Sequence, residues 1–334
     1  MGFPGMLDSA SRETPVVPGI EASSFPLDER AYLNSLRHLG EPCWLPRAQL
    51  WVLRRPIGHS GWTDLLASVP YSRRLAEVDP TALREDVQES DAVALVGTLR
   101  PGTPGPAGES WAAAGFSATA AKAHFVYDGT RPLAEFSPRT RQHLRAGQRK
   151  WQLRWEPLAA CQREMAEAFG ELQSHKKMIT LSRHPAEHFS TLAEIPGLAC
   201  VSAYDKDGWG AGLVVASGGG EHHALALAGR PRAYRHDAFY AVLAYATVRC
   251  AETGTKLFLG GAPAGREGQG VGQFKQRFAN DRAESWLVHA IACPRRCEEL
   301  IQRHGRRAWQ PPYRGPFEEE VFPDAHLATR HGAA

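Results

Sequence analysis

Apolar side chains recur along this chain with two periods, and the second half shows them more clearly than the first. Leu158, Cys161, Met165, Phe169 and Leu172 keep helical spacing, which predicts one helix over 157–175. Residues 199–204 and 211–216 read as strands, joined by Asp205-Lys206-Asp207-Gly208, a strong hairpin turn signal. Ser217-Gly218-Gly219-Gly220 turns the chain into a third strand over 222–228. A helix over 237–253 places Phe239, Val242, Leu243, Ala246 and Cys250 on one face, and Gly254 suits a left-handed cap. A strand at 256–259, a short helix at 271–278 and a strand at 285–291 complete this half. Three meander strands followed by a β-α-β crossover describe a mixed sheet, so the expected fold class is α/β (α+β).

The first half is patchier. Tyr32, Leu33, Leu36 and Leu39 give a short amphipathic helix over 29–39, and 50–53 and 92–96 are apolar runs that fit buried strands. Residues 62–66 and 81–87 read as helical, 100–108 as a Pro/Gly loop, and 122–127 as a strand. Residues 1–28, rich in Pro, Ser and Gly, read as a loosely held arm. A length of 334 residues corresponds to about two domains.

Composition narrows the class without naming a partner. At 43% hydrophobic and 22% charged residues the chain can build an ordinary packed core. A net charge of +3 is too small to announce nucleic-acid binding, so the local distribution of charge has to decide. None of the six cysteines forms a C-x-x-C pair, so neither zinc nor a disulfide framework is expected. Met1-Gly2-Phe3-Pro4-Gly5 is not a secretory signal, and no apolar run approaches the ~20 residues of a membrane span. The expected setting is cytoplasmic, away from membranes.

Two segments carry candidate chemistry. Ser137 is placed to cap a helix that opens at Pro138. On that helix Arg141, Arg145 and Arg149 form a ridge, with Leu144, Gln148, Trp151 and Trp155 along another. From Arg139 to Arg154 there are six basic residues and no acidic one. Guanidinium groups bind phosphate bidentately, although a run of this kind also reads as a solvated face. The second segment is the glycine-dense stretch from Gly260 to Lys275, running from a strand into a helix, where backbone amides can hold an anion. It is neither a Walker A loop nor a dinucleotide fingerprint.

A third observation concerns the junction after the 222–228 strand, Gly229-Arg230-Pro231-Arg232-Ala233-Tyr234-Arg235-His236-Asp237. A glycine-rich amide cradle for a cofactor pyrophosphate does not occur there, and Arg230, Arg232 and Arg235 stand in its place. Asp237 is expected to cap the next helix. By alternation, one of His222 and His223 points inward.

Three stretches together resemble the Fem family of aminoacyl-tRNA-dependent transferases and the related BioF2-like acyltransferase domains. Lys122-Ala123-His124-Phe125-Val126-Tyr127-Asp128, followed by Phe136-Ser137-Pro138-Arg139-Thr140-Arg141-Gln142-His143-Leu144-Arg145, looks like the family's strand and S-x-x-T-R-x-x-(I/L)-R helix. Leu259-Gly260-Gly261 looks like its glycine-ended strand, and Phe274-Lys275-Gln276-Arg277-Phe278 like its F-K-x-(G/R)-F segment. The matches extend over about 122–291, and no heptad pattern supplies the coiled-coil arm of some members.

The resemblance implies two GNAT-like domains, each a mixed sheet flanked by helices: a degenerate one over 29–155 on the acceptor side and an acyltransferase one over 156–305, with 306–334 as a tail. It implies an aminoacyl-tRNA donor, an amine of a small molecule or peptide as acceptor, and no bound cofactor. Lys275 is implied to stabilise the charged tetrahedral intermediate. Phe274, Tyr234, Arg230, Arg232, Arg235, Arg139, Arg141 and Arg145 are the substrate-binding candidates. The alternative is an acyl-CoA-dependent N-acyltransferase in which Arg230, Arg232 and Arg235 replace the amide cradle. A non-catalytic RNA-binding module, with Trp151 and Trp155 stacking on bases, is a third reading.

Overall fold

A computed structural model describes residues 25–104, 109–132, 136–176, 178, 180–262 and 266–315. Among these, the strands are β1 (Glu41–Leu45), β2 (Leu50–Pro56), β3 (Thr63–Ser72), β4 (Ala94–Leu99), β5 (Ser117–Asp128), β6 (Gln152–Pro157), β7 (Leu198–Asp205), β8 (Gly208–Gly218), β9 (Glu221–Gly229), β10 (Lys256–Phe258) and β11 (Asp281–Ile291). The helices are α1 (Arg30–Ser35), α2 (Pro80–Glu89), α3 (Glu109–Ala113), α4 (Pro138–Lys150), α5 (Gln162–His175), α6 (Ala186–Ala193), α7 (Pro231–Arg235), α8 (Ala238–Thr253), α9 (Arg266–Gln276) and α10 (Pro294–His304). No helix among the described residues is long and apolar enough to cross a membrane.

All eleven strands join one mixed sheet in the order β1-β2-β3-β4-β11-β5-β10-β9-β8-β7-β6. Only β3–β4 and β9–β10 pair in parallel, each through a helical crossover, α2 in the first case and α7–α8 in the second. The two halves therefore repeat one plan: an antiparallel meander, a crossover and a parallel strand. Each half then lends its last strand to the other. β5 pairs with β10, β11 pairs with β4, and the two lent strands pair antiparallel at the centre.

Alternation explains how the sheet buries both faces. Leu198, Cys200 and Val214 point towards α5 and α6, in one core with Met165 and Phe169. Val201, Ala203, Leu213 and Val215 point the other way, in a core with α8 and Leu144 of α4. Each Val, Leu, Met or Phe among them stabilises the fold by ~1.5–3 kcal/mol on burial. Ser137 Oγ accepts from Thr140 N at the start of α4, and Gly254 ends α8 at φ +67°. Both ends follow the sequence expectation.

Several expectations are corrected. Residues 62–66 are not helical: Leu65 and Leu66 are buried on β3, and a short apolar run carries no period to separate strand from helix. Trp155 does not continue the α4 ridge, because the helix ends at Lys150 and Trp155 pairs with Val201 on β6–β7. The 157–175 helix divides into a 3-10 turn, Leu158–Ala160, and α5. Asp237 stands before α8 but makes no capping bond and adopts φ +56°. Residues 25–28 of the expected arm enter the core, where Phe25, Leu27 and Asp28 are buried. The rest of that arm, the tail beyond residue 315 and residues 105–108 of the Pro/Gly loop lie outside the described residues.

One tight approach gives a direct test of the central packing. A Cβ on Gly129 would lie 2.1 Å from Cys250 O and 2.6 Å from Thr255 O, both backbone atoms. Gly129→Ala is therefore expected to destabilise by about 1–3 kcal/mol or more, seen as a lower urea midpoint with an unchanged m-value.

Candidate active site

β10 is only three residues long and pairs with β9 from Glu221 to His223, so among the described residues the rest of β9 has no partner on that side. The sheet opens there. β9 also carries a bulge: Val214 pairs with Ala226 and Val215 with Ala224, leaving Leu225 as the extra residue. Leu225, Ala226 and Leu227, three consecutive residues, all line a cavity of about 610 Å³. Strict alternation would show only every second side chain to one face, so the cavity meets the strand along its open edge.

Lys275, Phe274 and Tyr234 of the sequence-derived candidates all line this cavity. Tyr32, Val69 and Pro70 of the first half close another part of its wall. Gly260 and Gly261 end the β10 segment, and Lys275 Nζ donates to Gly261 O at 2.9 Å. A Cβ on Gly260, which has φ +75°, would sit 3.2 Å from that Nζ. A Cβ on Gly261 would strike the Lys122 side chain at 2.2 Å. The paired glycines thus let two lysine side chains approach the same corner. Pro263-Ala264-Gly265, the middle of the glycine-dense loop, lies outside the described residues.

This corner is electrostatically unusual. Burial, and to a smaller extent the neighbouring Lys122, lowers the Lys275 pKa to about 8, and burial also lowers Lys122. Neither ammonium has a carboxylate partner among the described residues. Beneath them His124 is pushed down to about 3 by burial and by both lysines, so it is neutral at physiological pH. Two cations without a counter-ion, at a half-enclosed cavity, make a site for negative charge.

Asp237 is the sole carboxylate among the described lining residues. Its Oδ1 lies 2.9 Å from His143 Nδ1, and that imidazole stacks on Tyr240 at 4.7 Å. The left-handed backbone turns the carboxylate towards His143 of α4 instead of towards the α8 amides. α4 thereby reaches the cavity rim.

The arginine candidates divide. Arg230 is held by Glu167 and, at 2.8 Å, by Glu171. Arg232 bonds the carbonyls of Asp207, Gly208 and Trp209 and lies 3.4 Å from Asp205. Both guanidiniums are engaged within the chain rather than standing open to a phosphate. Arg141 donates to Phe136 O at 2.6 Å, while Arg139, Arg145 and Arg235 are exposed. His223 is the inward histidine: it is buried between Tyr71 and Glu221 and does not line the cavity. Among the described residues no cluster of three or more His, Cys, Asp or Glu could hold a metal ion.

Sequence comparison alone gives no relative: no protein-family model and no curated protein matches the chain. Its fold is shared with FemX and with L-PGS. FemX superposes with a TM-score of 0.55 over 77% of this chain and 86% of its own, at 12% identity. L-PGS from Bacillus licheniformis gives 0.50 over 80% and 92%, also at 12%. A C-terminal DUF2156 domain ascribed to a lysylphosphatidylglycerol synthetase of Agrobacterium fabrum gives 0.55 over 84% and 94%, at 14%. At these identities the likeness concerns the fold.

Lys122, Asp237, His143 and the Leu225 bulge were not foreseen as site features. Lys122 was within reach, since it opens the strand quoted for the Fem resemblance. The bulge has no signature in the Ala-Leu-Ala-Leu-Ala run.

Proposed function

We propose that this chain is an acyltransferase that moves the amino acid of an aminoacyl-tRNA onto an amine of a small molecule or peptide, forming an amide. The observation that carries the reading is the Lys275 ammonium, without a carboxylate partner among the described residues and set beside Lys122 in the cavity wall. The fold shared with FemX and the motif resemblance support the donor class.

In this mechanism the neutral amine nitrogen attacks the ester carbonyl carbon, and the carbonyl π electrons move onto oxygen. Lys275 donates a hydrogen bond to that oxyanion, with Lys122 adding to the positive potential. Collapse of the intermediate breaks the carbon–oxygen bond to the ribose. The departing oxygen takes up the proton that the amine nitrogen loses, so the products are an amide and a free ribose hydroxyl. The ester is already activated, and the protein has mainly to position the partners and stabilise charge. The two lysines also favour the neutral form of an incoming amine. Residues 29–155 serve the acceptor side in this reading and 156–305 the donor side, except that α4, which packs on α8, turns Arg139, Arg141 and Arg145 to the RNA phosphates together with Arg235.

The acyl-CoA alternative relied on Arg230, Arg232 and Arg235 as a phosphate cradle. It loses support from the internal pairing of the first two.

Incubation with charged tRNA and a panel of amines is expected to give amide product that disappears after ribonuclease treatment. Product indifferent to ribonuclease overturns the tRNA donor. A second expectation concerns pH. Catalysis needs the Lys275 ammonium, so kcat/KM should fall as pH rises through about 8. Lys122→Met removes a like charge, raises the Lys275 pKa and should shift that falling limb to higher pH.

A further inference from the structure

Resting on the acyl-transfer reading above, we infer that the group carried into the cavity is large and apolar, a leucyl or phenylalanyl side chain or an acyl group of similar bulk. The first argument is geometric. A carbonyl held at Lys275 carries two substituents, the leaving group and the acyl group. A tRNA is far too large for about 610 Å³ and must remain outside, so the acyl substituent is the part that enters.

The second argument is the wall. Phe169 and Leu172 of α5, Leu225 and Leu227 of β9, and Val271 and Phe274 of α9 approach the cavity from three elements. A glycyl or alanyl group would leave most of these surfaces uncovered.

The third argument is charge. Lys122 and Lys275 repel a cationic side chain, and the sole described carboxylate of the lining, Asp237, is paired with His143. Both lysines share the corner that holds the carbonyl, so an acidic side chain reaching along the apolar wall meets no further cation among the described lining residues. His184 and His188 also line the cavity, but burial depresses both, His188 to about 4, and they are neutral at physiological pH. The imidazoles stack on each other at 4.1 Å, and His184 Nδ1 is buried without a hydrogen-bond partner among the described residues. The wall thus offers a few neutral polar groups, His184 Nδ1 and the hydroxyls of Ser182, Tyr234 and Tyr240, within a mainly apolar surface.

The test is a binding series on the full chain by calorimetry. The probes are 3′-amino-3′-deoxyadenosines bearing amide-linked glycine, leucine, phenylalanine or lysine, with acetyl-CoA and octanoyl-CoA as a second series. The leucyl and phenylalanyl probes should bind about ten- to a hundredfold more tightly than the glycyl and lysyl ones, from the apolar area they bury. Ala226→Phe, which fills the cavity, and Leu227→Ala, which strips its wall, should each narrow the phenylalanyl-to-glycyl ratio. A preference for octanoyl-CoA over acetyl-CoA, with no binding of the adenosine probes, supports the apolar acyl group and overturns the tRNA donor. Equal binding across each series, a glycyl or lysyl preference, or no binding in either series overturns the inference.

Discussion

Lys275→Ala is expected to lower kcat by about 10²–10³, equivalent to ~3–4 kcal/mol of transition-state stabilisation, with little change in KM for the acceptor amine. The asymmetry follows from the chemistry. Full negative charge exists only on the tetrahedral oxygen, so removing a cation that faces it weakens the transition state more than the ground state. Folding should respond in the opposite sense. The Lys275 pKa is lowered from its ordinary value to about 8, mainly by burial, so the folded state disfavours the ammonium. That penalty is fully present below about pH 8 and fades as pH rises towards the unfolded-state value near 10.4. At neutral pH the alanine variant should therefore unfold at an equal or higher temperature than the parent. Loss of turnover together with loss of stability would assign Lys275 a structural role. A kcat retained within about twofold would remove the mechanism, given what one oxyanion donor usually contributes.

The sequence made the plan of the second half visible and left the architecture of the whole hidden, and the reason is physical. Period-2 and period-3.6 patterns report which face of an element is buried, and β7, β8, β9 and α8 each have clear faces. What those patterns lack is the identity of the neighbour. β5 was read as a strand of the first half, yet it lies between β10 and β11, and its Lys122 stands at the cavity corner with Lys275. The same limit explains the arginines. Arg230 sits in a local stretch rich in arginine, which suggested an open cation. Its acids, Glu171 and Glu167, come from 59 and 63 residues away. Arg232 is bound by the β7–β8 hairpin 23 to 25 residues earlier. That Lys275 and Phe274 come to one cavity was legible because a motif resemblance already encodes long-range proximity, whereas Tyr234 lies outside those motifs. Asp237 was read as a helix cap, the usual role of an aspartate at such a junction. Only the left-handed backbone and the packing of α4 on α8 turn it to His143.

The same long-range logic yields the largest expected loss of stability. Asp64 is fully buried between two buried guanidiniums, with Arg55 Nε at 2.9 Å and Arg314 Nε at 2.5 Å, and Tyr313 Oη lies 3.3 Å away. Burial alone would raise its pKa, but Arg314 and Arg55 hold the carboxyl below the ordinary carboxylate range. Asp64→Asn preserves shape and removes the carboxylate charge from two buried ion pairs at once. The expected loss is about 3–5 kcal/mol, measured as a fall in the urea midpoint. For comparison, Asp91→Asn, at the largely exposed Arg296 pair, should change stability by no more than about 1 kcal/mol. Because the folded pKa of Asp64 is depressed, its contribution is present above the unfolded value near 3.9 and is lost as pH falls through the lower folded value. Ending the chain at residue 312 removes both Tyr313 and Arg314 from the same cluster. Its effect should be strongly non-additive with Asp64→Asn, since both changes remove the same Asp64–Arg314 ion pair. Additive losses would mean that the carboxylate and the C-terminal segment stabilise the fold separately. The non-additive result would make Asp64 the residue that fastens the segment around Arg314 to the start of β3.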